Sequence, residues 1–161
     1  MAKWLLVFFL LFILNSCETS SPLNKYQSFN KSVYVDVVEK RIIKTSNFQS
    51  IHSDKIQKAF DVWFNNSLKT NGFDGFLEIR ILNLTSEEIT SNNSLTIKVF
   101  IEIEFSISKS VLNAKKIIII NGDEYGQLEG YFTINEKLIE VDNIIKRLIE
   151  KFSIELSKEL S

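Results

Sequence analysis

Cysteine, histidine, proline and glycine are all scarce in this sequence, and each scarcity closes off a set of functions. The 161 residues include one Cys, one His, one Pro and five Gly. A lone cysteine excludes an intrachain disulfide and a thiolate metal cage. Five glycines leave little material for a phosphate-cradling loop, and neither a Gly-x-Ser-x-Gly elbow nor a dinucleotide fingerprint occurs. An excess of one charge is missing too. Lys+Arg total 19 against 20 Asp+Glu, with no basic block long enough to track a phosphate backbone, so no nucleic-acid partner is expected.

Apolar side chains are abundant, at 45% of the chain, and eleven of them are consecutive. Lys3 supplies a short positive region, and the run from Trp4 to Leu14 follows, as a secretory signal requires. Built as a helix, that run would reach only ~16 Å, about half of a ~30 Å hydrocarbon core, so a signal fits better than an uncleaved membrane anchor. The run stops at Leu14-Asn15-Ser16-Cys17. This tetrad resembles the lipobox of bacterial lipoproteins, in which an aliphatic residue and two small residues precede an invariant cysteine; Asn15 departs from the usual small residue. Leu14-x-Ser16 also lacks the small-x-small pattern of ordinary cleavage sites, which favours lipidation of Cys17 over an incidental cysteine. Several fatty chains on one cysteine make anchoring stable, because each buried methylene contributes ~0.8 kcal/mol. Glu18 stands where an aspartate signals inner-membrane retention in some bacteria, so the outer membrane is favoured, with the protein facing the periplasm.

Three segments follow. Residues 1–16 read as the signal peptide, 17–31 as a Ser-, Asn- and Thr-rich flexible tether carrying lipidated Cys17, and 32–161 as a single α+β domain. About 145 residues remain after cleavage, enough for a real core. Val33, Val35 and Val37 alternate with polar neighbours in a first strand over 32–44. Ser53-Asp54 offers an N-cap for a helix whose stripe is Ile56, Ala59, Phe60, Trp63, Phe64 and Leu68, closed by Asn71-Gly72. Leu77, Ile79 and Ile81 mark a second strand, and Asn92-Asn93 the turn to a third. In the third, every odd position from Leu95 to Ile107 is apolar and most even positions are polar, so one face is buried and the other wet.

The tetrad Ile117-Ile118-Ile119-Ile120 lacks alternation, which predicts a fourth strand covered on both sides or placed centrally. Asn121-Gly122 predicts a bulge or turn, and 123–132 fits either a resumed strand or a loop. Thr133-x-x-Glu136 matches a capping box opening a last helix over 135–160, with the stripe Leu138, Val141, Ile145, Leu148, Phe152 and Leu156. The fold class is therefore α+β: strand, helix, three antiparallel strands, helix, with both helices packed on the odd-numbered face of a four-stranded sheet.

Chemistry is sparse along this frame. His52 has no second imidazole or thiol beside it, and a helix-entry histidine is the reading over a metal ligand or general base. Asp123, Glu124 and Glu129 form the densest carboxylate cluster, but neighbours on a strand face opposite ways and no Ca²⁺-loop spacing is present. Phe100 is a large apolar residue on the wet face of the third strand, and Tyr34 is placed to share that face from the first, as a contact patch. Asn-x-Ser/Thr triplets at Asn30, Asn65, Asn83 and Asn92 carry no meaning in a bacterial lipoprotein. No catalytic residue, metal ligand or cofactor is assigned.

The lipobox, short tether, element order and the run from Gly130 to Lys137 opening a long terminal helix resemble small bacterial outer-membrane lipoproteins. The YajG-like uncharacterised lipoproteins are the nearest, then the lipopolysaccharide-assembly lipoprotein and the auxiliary lipoproteins of ABC-type lipid transporters. This resemblance implies a non-enzymatic accessory that binds an envelope protein or lipid in envelope assembly or lipid transport, and it carries over Cys17 alone. An envelope hydrolase with an unrecognised site and a purely structural lipoprotein are the alternatives.

Overall fold

The computed structural model describes residues 32–43 and 48–161; the leader, Cys17 and the tether lie outside the described residues. The elements are β1 (Val33–Val35), β2 (Glu39–Ile43), α1 (Ser53–Asn66), β3 (Leu68–Thr70), β4 (Phe76–Ser91), β5 (Ser94–Lys109), β6 (Ala114–Glu129) and α2 (Ile134–Leu160). A four-stranded sheet runs β2-β4-β5-β6, and β1 pairs with β3 in a separate two-stranded sheet. Pairing is antiparallel from β4 to β6, as expected, and parallel for β2–β4 and β1–β3. The architecture is α+β.

The expected first strand over 32–44 is two strands. At 36–38 the chain jogs, Val37 N–H donating to the Val35 carbonyl, and the facing loop jogs with it: Asn71 N–H donates to Val35 O and Gly72 N–H to Val37 O. Val33, Val35 and Val37 stay buried through the jog, so the alternation is real while the pairing partner changes from β3 to β4.

Helix α1 buries Ile56, Ala59, Phe60, Trp63 and Phe64 completely, but it ends at Asn66, two residues before Leu68, the last of the expected stripe. Ser67 N–H donates to Trp63 O, and Lys40 of β2 reaches the last carbonyls, its Nζ donating to Phe64 O and, at 3.3 Å, to Asn65 O, and beyond the helix to Leu68 O at 2.7 Å. A lysine therefore satisfies the helix end, so Asn71-Gly72 is not needed as its cap, and Leu68 enters the core from β3. At the other end His52, with φ 65°, holds the N-cap position; Ser53 turns its hydroxyl to Phe48 O instead of capping. Phe60 meets Phe152 of α2 edge-on at 5.4 Å and Phe64 meets Phe105 of β5 at 6.4 Å, so the aromatic stripe ties both helices to the sheet.

Strand β5 is buried at every odd position from Leu95 to Ile107. The isoleucine tetrad corrects the expectation made of it: β6 is an edge strand, Ile118 and Ile120 face the helices, and Ile117 and Ile119 are 52% and 53% exposed on the other side. Asn121-Gly122 is no bulge, since the β5–β6 register runs unbroken through Glu102–Asn121 and Ile101–Gly122. A Cβ at Gly122 would lie 2.4 Å from Phe152 and 2.9 Å from Leu148, so glycine is there to let α2 approach the sheet. The bulge lies in β4, where Leu82 is the extra residue between the Ile81–Ile103 and Asn83–Glu102 pairs. The stretch 123–132 is strand as far as Glu129. The capping box forms in full, Thr133 Oγ1 accepting from Glu136 N–H while the Glu136 carboxylate accepts from Thr133 N–H at 2.7 Å.

Candidate functional site: the helix-free face of the sheet

Both helices lie on one side of the sheet, so the even-numbered face of β5 has no layer over it. Two cross-strand rows define its centre: Thr85–Phe100–Asp123 and Glu87–Lys98–Tyr125. Together they line a depression of about 340 Å³ that is open to solvent. Phe100 is half-buried in it and Tyr125 is exposed beside it. Leu82, Ile89, Ile117 and Ile119 add exposed apolar area elsewhere on this face.

The structure brings together some of the residues singled out in sequence and separates others. Phe100 sits at the depression, but Tyr34 belongs to β1 in the other sheet and shares no face with it. The carboxylate cluster splits by strand alternation. Asp123 faces the depression, with Lys151 at 3.7 Å, while Glu124 points to the helix side and pairs with Arg147 at 3.1 Å. Glu129 ends the strand opposite Ser94. Across the depression, Glu87 and Asp123 stand on strands separated by β5, about 10 Å apart at the backbone. What the geometry offers is an aromatic surface flanked by both signs of charge, a shape suited to contact. Among the described residues no group of three His, Cys, Asp or Glu is placed to hold a metal.

His52 lies on the helix side in a polar tie. Its Nε2 is 2.8 Å from Glu88 Oε1, and Lys137 Nζ donates to Glu88 Oε2 at 2.9 Å, so one carboxylate joins the start of α1, strand β4 and the first turn of α2. Burial pushes the Glu88 carboxyl up, but hydrogen bonds from Lys137 and His52 and their charges outweigh it, leaving its pKa below the usual value. Sequence reading found His52 and missed its partners. Glu88 faces inward only because the bulge at Leu82 shifts the alternation by one residue, placing Leu84, Ser86 and Glu88 on the helix side after Leu77, Ile79 and Ile81. The signal available for that shift was the change of apolar parity from Ile81 to Leu84 across the adjacent pair Ile81-Leu82.

No protein-family model matches the chain, and no curated protein matches its sequence. Among solved structures it is similar to a minor lipoprotein from Acinetobacter baumannii, at 9% identity over 77% of this chain and 92% of that one, with a TM-score of 0.45. Uncharacterised lipoprotein B from Nitrosomonas europaea is similar at 10% identity over 81% of this chain and 87% of that one, with a TM-score of 0.39. A hypothetical protein from Chlamydia trachomatis is similar at 8% identity over 78% and 96%, with a TM-score of 0.35. These scores stay below 0.5, and neither fold nor role is taken from them.

Proposed function

We propose that this protein is a lipid-anchored lipoprotein of the bacterial envelope, held to the membrane through Cys17, and that its folded domain works by binding rather than by turnover. The partner is an envelope protein or lipid, in envelope assembly or lipid transport, and the outer membrane is the favoured location. One observation carries the binding reading: a helix-free sheet face, with an aromatic depression at Phe100 and Tyr125, in a chain whose leader ends at a lipobox-like Cys17. Tethering a weak binder in the membrane of its target raises the effective concentration, so modest affinity is enough.

The test places a photoreactive residue at Tyr125 in cells and compares it with one at Glu150, on the exposed side of α2. Crosslinking of an envelope protein or lipid from position 125, lost on Cys17→Ser, is the expected result. Full complementation by an untethered domain, or loss of function from Asp123→Asn with folding intact, would support an envelope hydrolase instead. Function retained after Phe100→Asp and Tyr125→Asp together would remove this face as the binding surface.

A further inference from the structure

The two hairpin ends of the sheet are built from opposite materials. The β4–β5 turn presents Asn92 and Asn93, ordinary turn residues. The β5–β6 turn, at 110–113, presents Val111 and Leu112 at its apex, 82% and 73% exposed, with Asn113 taking the left-handed conformation at φ 45° and donating its N–H to Ser110 O. Beside it, the loop 71–75 presents Phe73, which is 100% exposed. Three large apolar side chains therefore project from two adjacent loops at one end of the molecule.

These loops are held in place. Asp74 Oδ2 accepts the Val111 N–H at 2.9 Å, joining one loop to the other. Val38 N–H donates to Gly75 O, and a Cβ at Gly75, where φ is +84°, would meet Ser108 O at 2.0 Å, so the base of the Phe73 loop lies directly on β5. Three exposed apolar residues grouped on an ordered apex leave contiguous apolar area in water, and moving it into an apolar phase is favourable.

Charge indicates which one. Lys109, Lys115 and Lys116 stand in the last β5–β6 pairs before the turn and Lys69 one residue before Thr70; Lys109 is paired with Asp36 and Lys116 donates to Glu159 O, while Lys69 and Lys115 are exposed. Asp36 is neutralised by Lys109 at 2.5 Å, and Asp74, which keeps its charge while accepting the Val111 amide, is outnumbered by Lys69, Lys115 and Lys116. An apolar tip backed by lysines is the pattern that enters a headgroup layer, with side chains in the acyl boundary and ammonium groups at phosphates. The chain enters short of the tip, at the start of β1. Strand β1 runs from Val33 toward this end, Val35 pairing with Thr70 just before the loop. The fifteen residues 17–31 span at most about 50 Å when extended, so an anchor at Cys17 keeps the tip within reach of the bilayer.

We propose that Phe73, Val111 and Leu112 form a docking tip that inserts into the headgroup region of a phospholipid membrane carrying anionic lipid, so that the tethered domain stands on its β5–β6 end with the helix-free face turned sideways to a partner. The proposal rests on the lipid-anchor reading, and its test separates the two. Lipidated protein is purified from membranes, reconstituted into vesicles of phosphatidylethanolamine and phosphatidylglycerol, and isolated by flotation. Leu112→Cys and Asn92→Cys each provide a site for an environment-sensitive fluorophore, since the only native cysteine, Cys17, is blocked when lipidated. The expected result is a blue-shifted probe at position 112 that nitroxide-labelled lipid quenches, and an unquenched, water-like probe at 92. Phe73→Ser should lower the docked-to-undocked ratio about tenfold. Replacing phosphatidylglycerol with phosphatidylcholine should lower it as well. Equal, unquenched signals at 112 and 92 in floating vesicles overturn the tip while leaving the anchor intact. Labelling of Cys17 itself and failure to float overturn the anchor. Concentration-dependent shielding of position 112 in detergent without lipid also overturns the tip, because a second copy would then be its occupant.

Discussion

Gly122→Ala is the sharpest probe of how the terminal helix sits on the sheet. The added methyl carbon would lie 2.4 Å from Phe152 Cε2 and 2.9 Å from Leu148 Cδ2, both completely buried side chains of α2. Neither can swing into solvent, so the helix must lift or the rings must leave their rotamers, which costs ~1–3 kcal/mol in a packed core. Removing glycine from a strand returns ~0.5–1 kcal/mol. The net loss is ~0–2.5 kcal/mol, centred near 1, read from urea melts as a lower midpoint at unchanged slope, or as a fall of roughly 3–5 °C per kcal/mol in Tm. A second substitution isolates the contact. Phe152→Leu removes the ring edge that the methyl would strike and costs about 1–2 kcal/mol alone. In that background Gly122→Ala should cost at least ~0.5 kcal/mol less, a coupling that only neighbours show. An equal effect of Gly122→Ala in both backgrounds would refute the close approach of α2 to β6.

Two further outcomes are expected. Ile101 is fully buried between Leu84 and Gly122, so Ile101→Lys loses ~1.5–3 kcal/mol of burial and places an ammonium in the core, while Glu102→Lys on the opposite face stays within about ±0.5 kcal/mol; equal midpoints in denaturant melts would show the register to be wrong. Glu88 has its folded pKa held below the ordinary value of 4.5, so its ionised form stabilises the fold above that pH, and the stabilisation is lost as pH falls through the folded pKa; Glu88→Gln should flatten the decline in stability below about pH 5, and an unchanged pH slope would exclude the His52–Glu88–Lys137 tie as its source.

Parts of this fold are legible along the chain because one physical rule governs them. Odd-numbered burial in β5 follows from strict alternation, and α2 begins where Thr133 and Glu136 can cap each other. Other parts are decided by neighbours distant in sequence. Ile117 and Ile119 read as buried because they are apolar, yet no layer covers their face. Gly122 looks like a turn residue and serves as a seat for Phe152. The bulge that turns Glu88 inward is marked only by a change of apolar parity, from Leu77, Ile79 and Ile81 to Leu84 with Leu82 between, and no apolar residue after Leu84 on the inward face repeats it before Glu88. Of the candidate surface, Phe100 stood out as an aromatic among polar residues. Tyr125 and Glu87 join it only through the β4–β5–β6 register, and Phe73 meets Val111 and Leu112 only because two loops meet at one end. Cys17 is known from sequence alone.

Everything proposed about location and tethering depends on Cys17, and the mass of the N-terminal peptide from membrane-extracted protein tests it directly. The expected peptide begins at Cys17, with residues 1–16 removed and the mass of a thioether-linked diacylglycerol on the cysteine, with or without a further N-acyl chain. An unmodified cysteine, or a mature chain beginning at any other residue, would contradict the account.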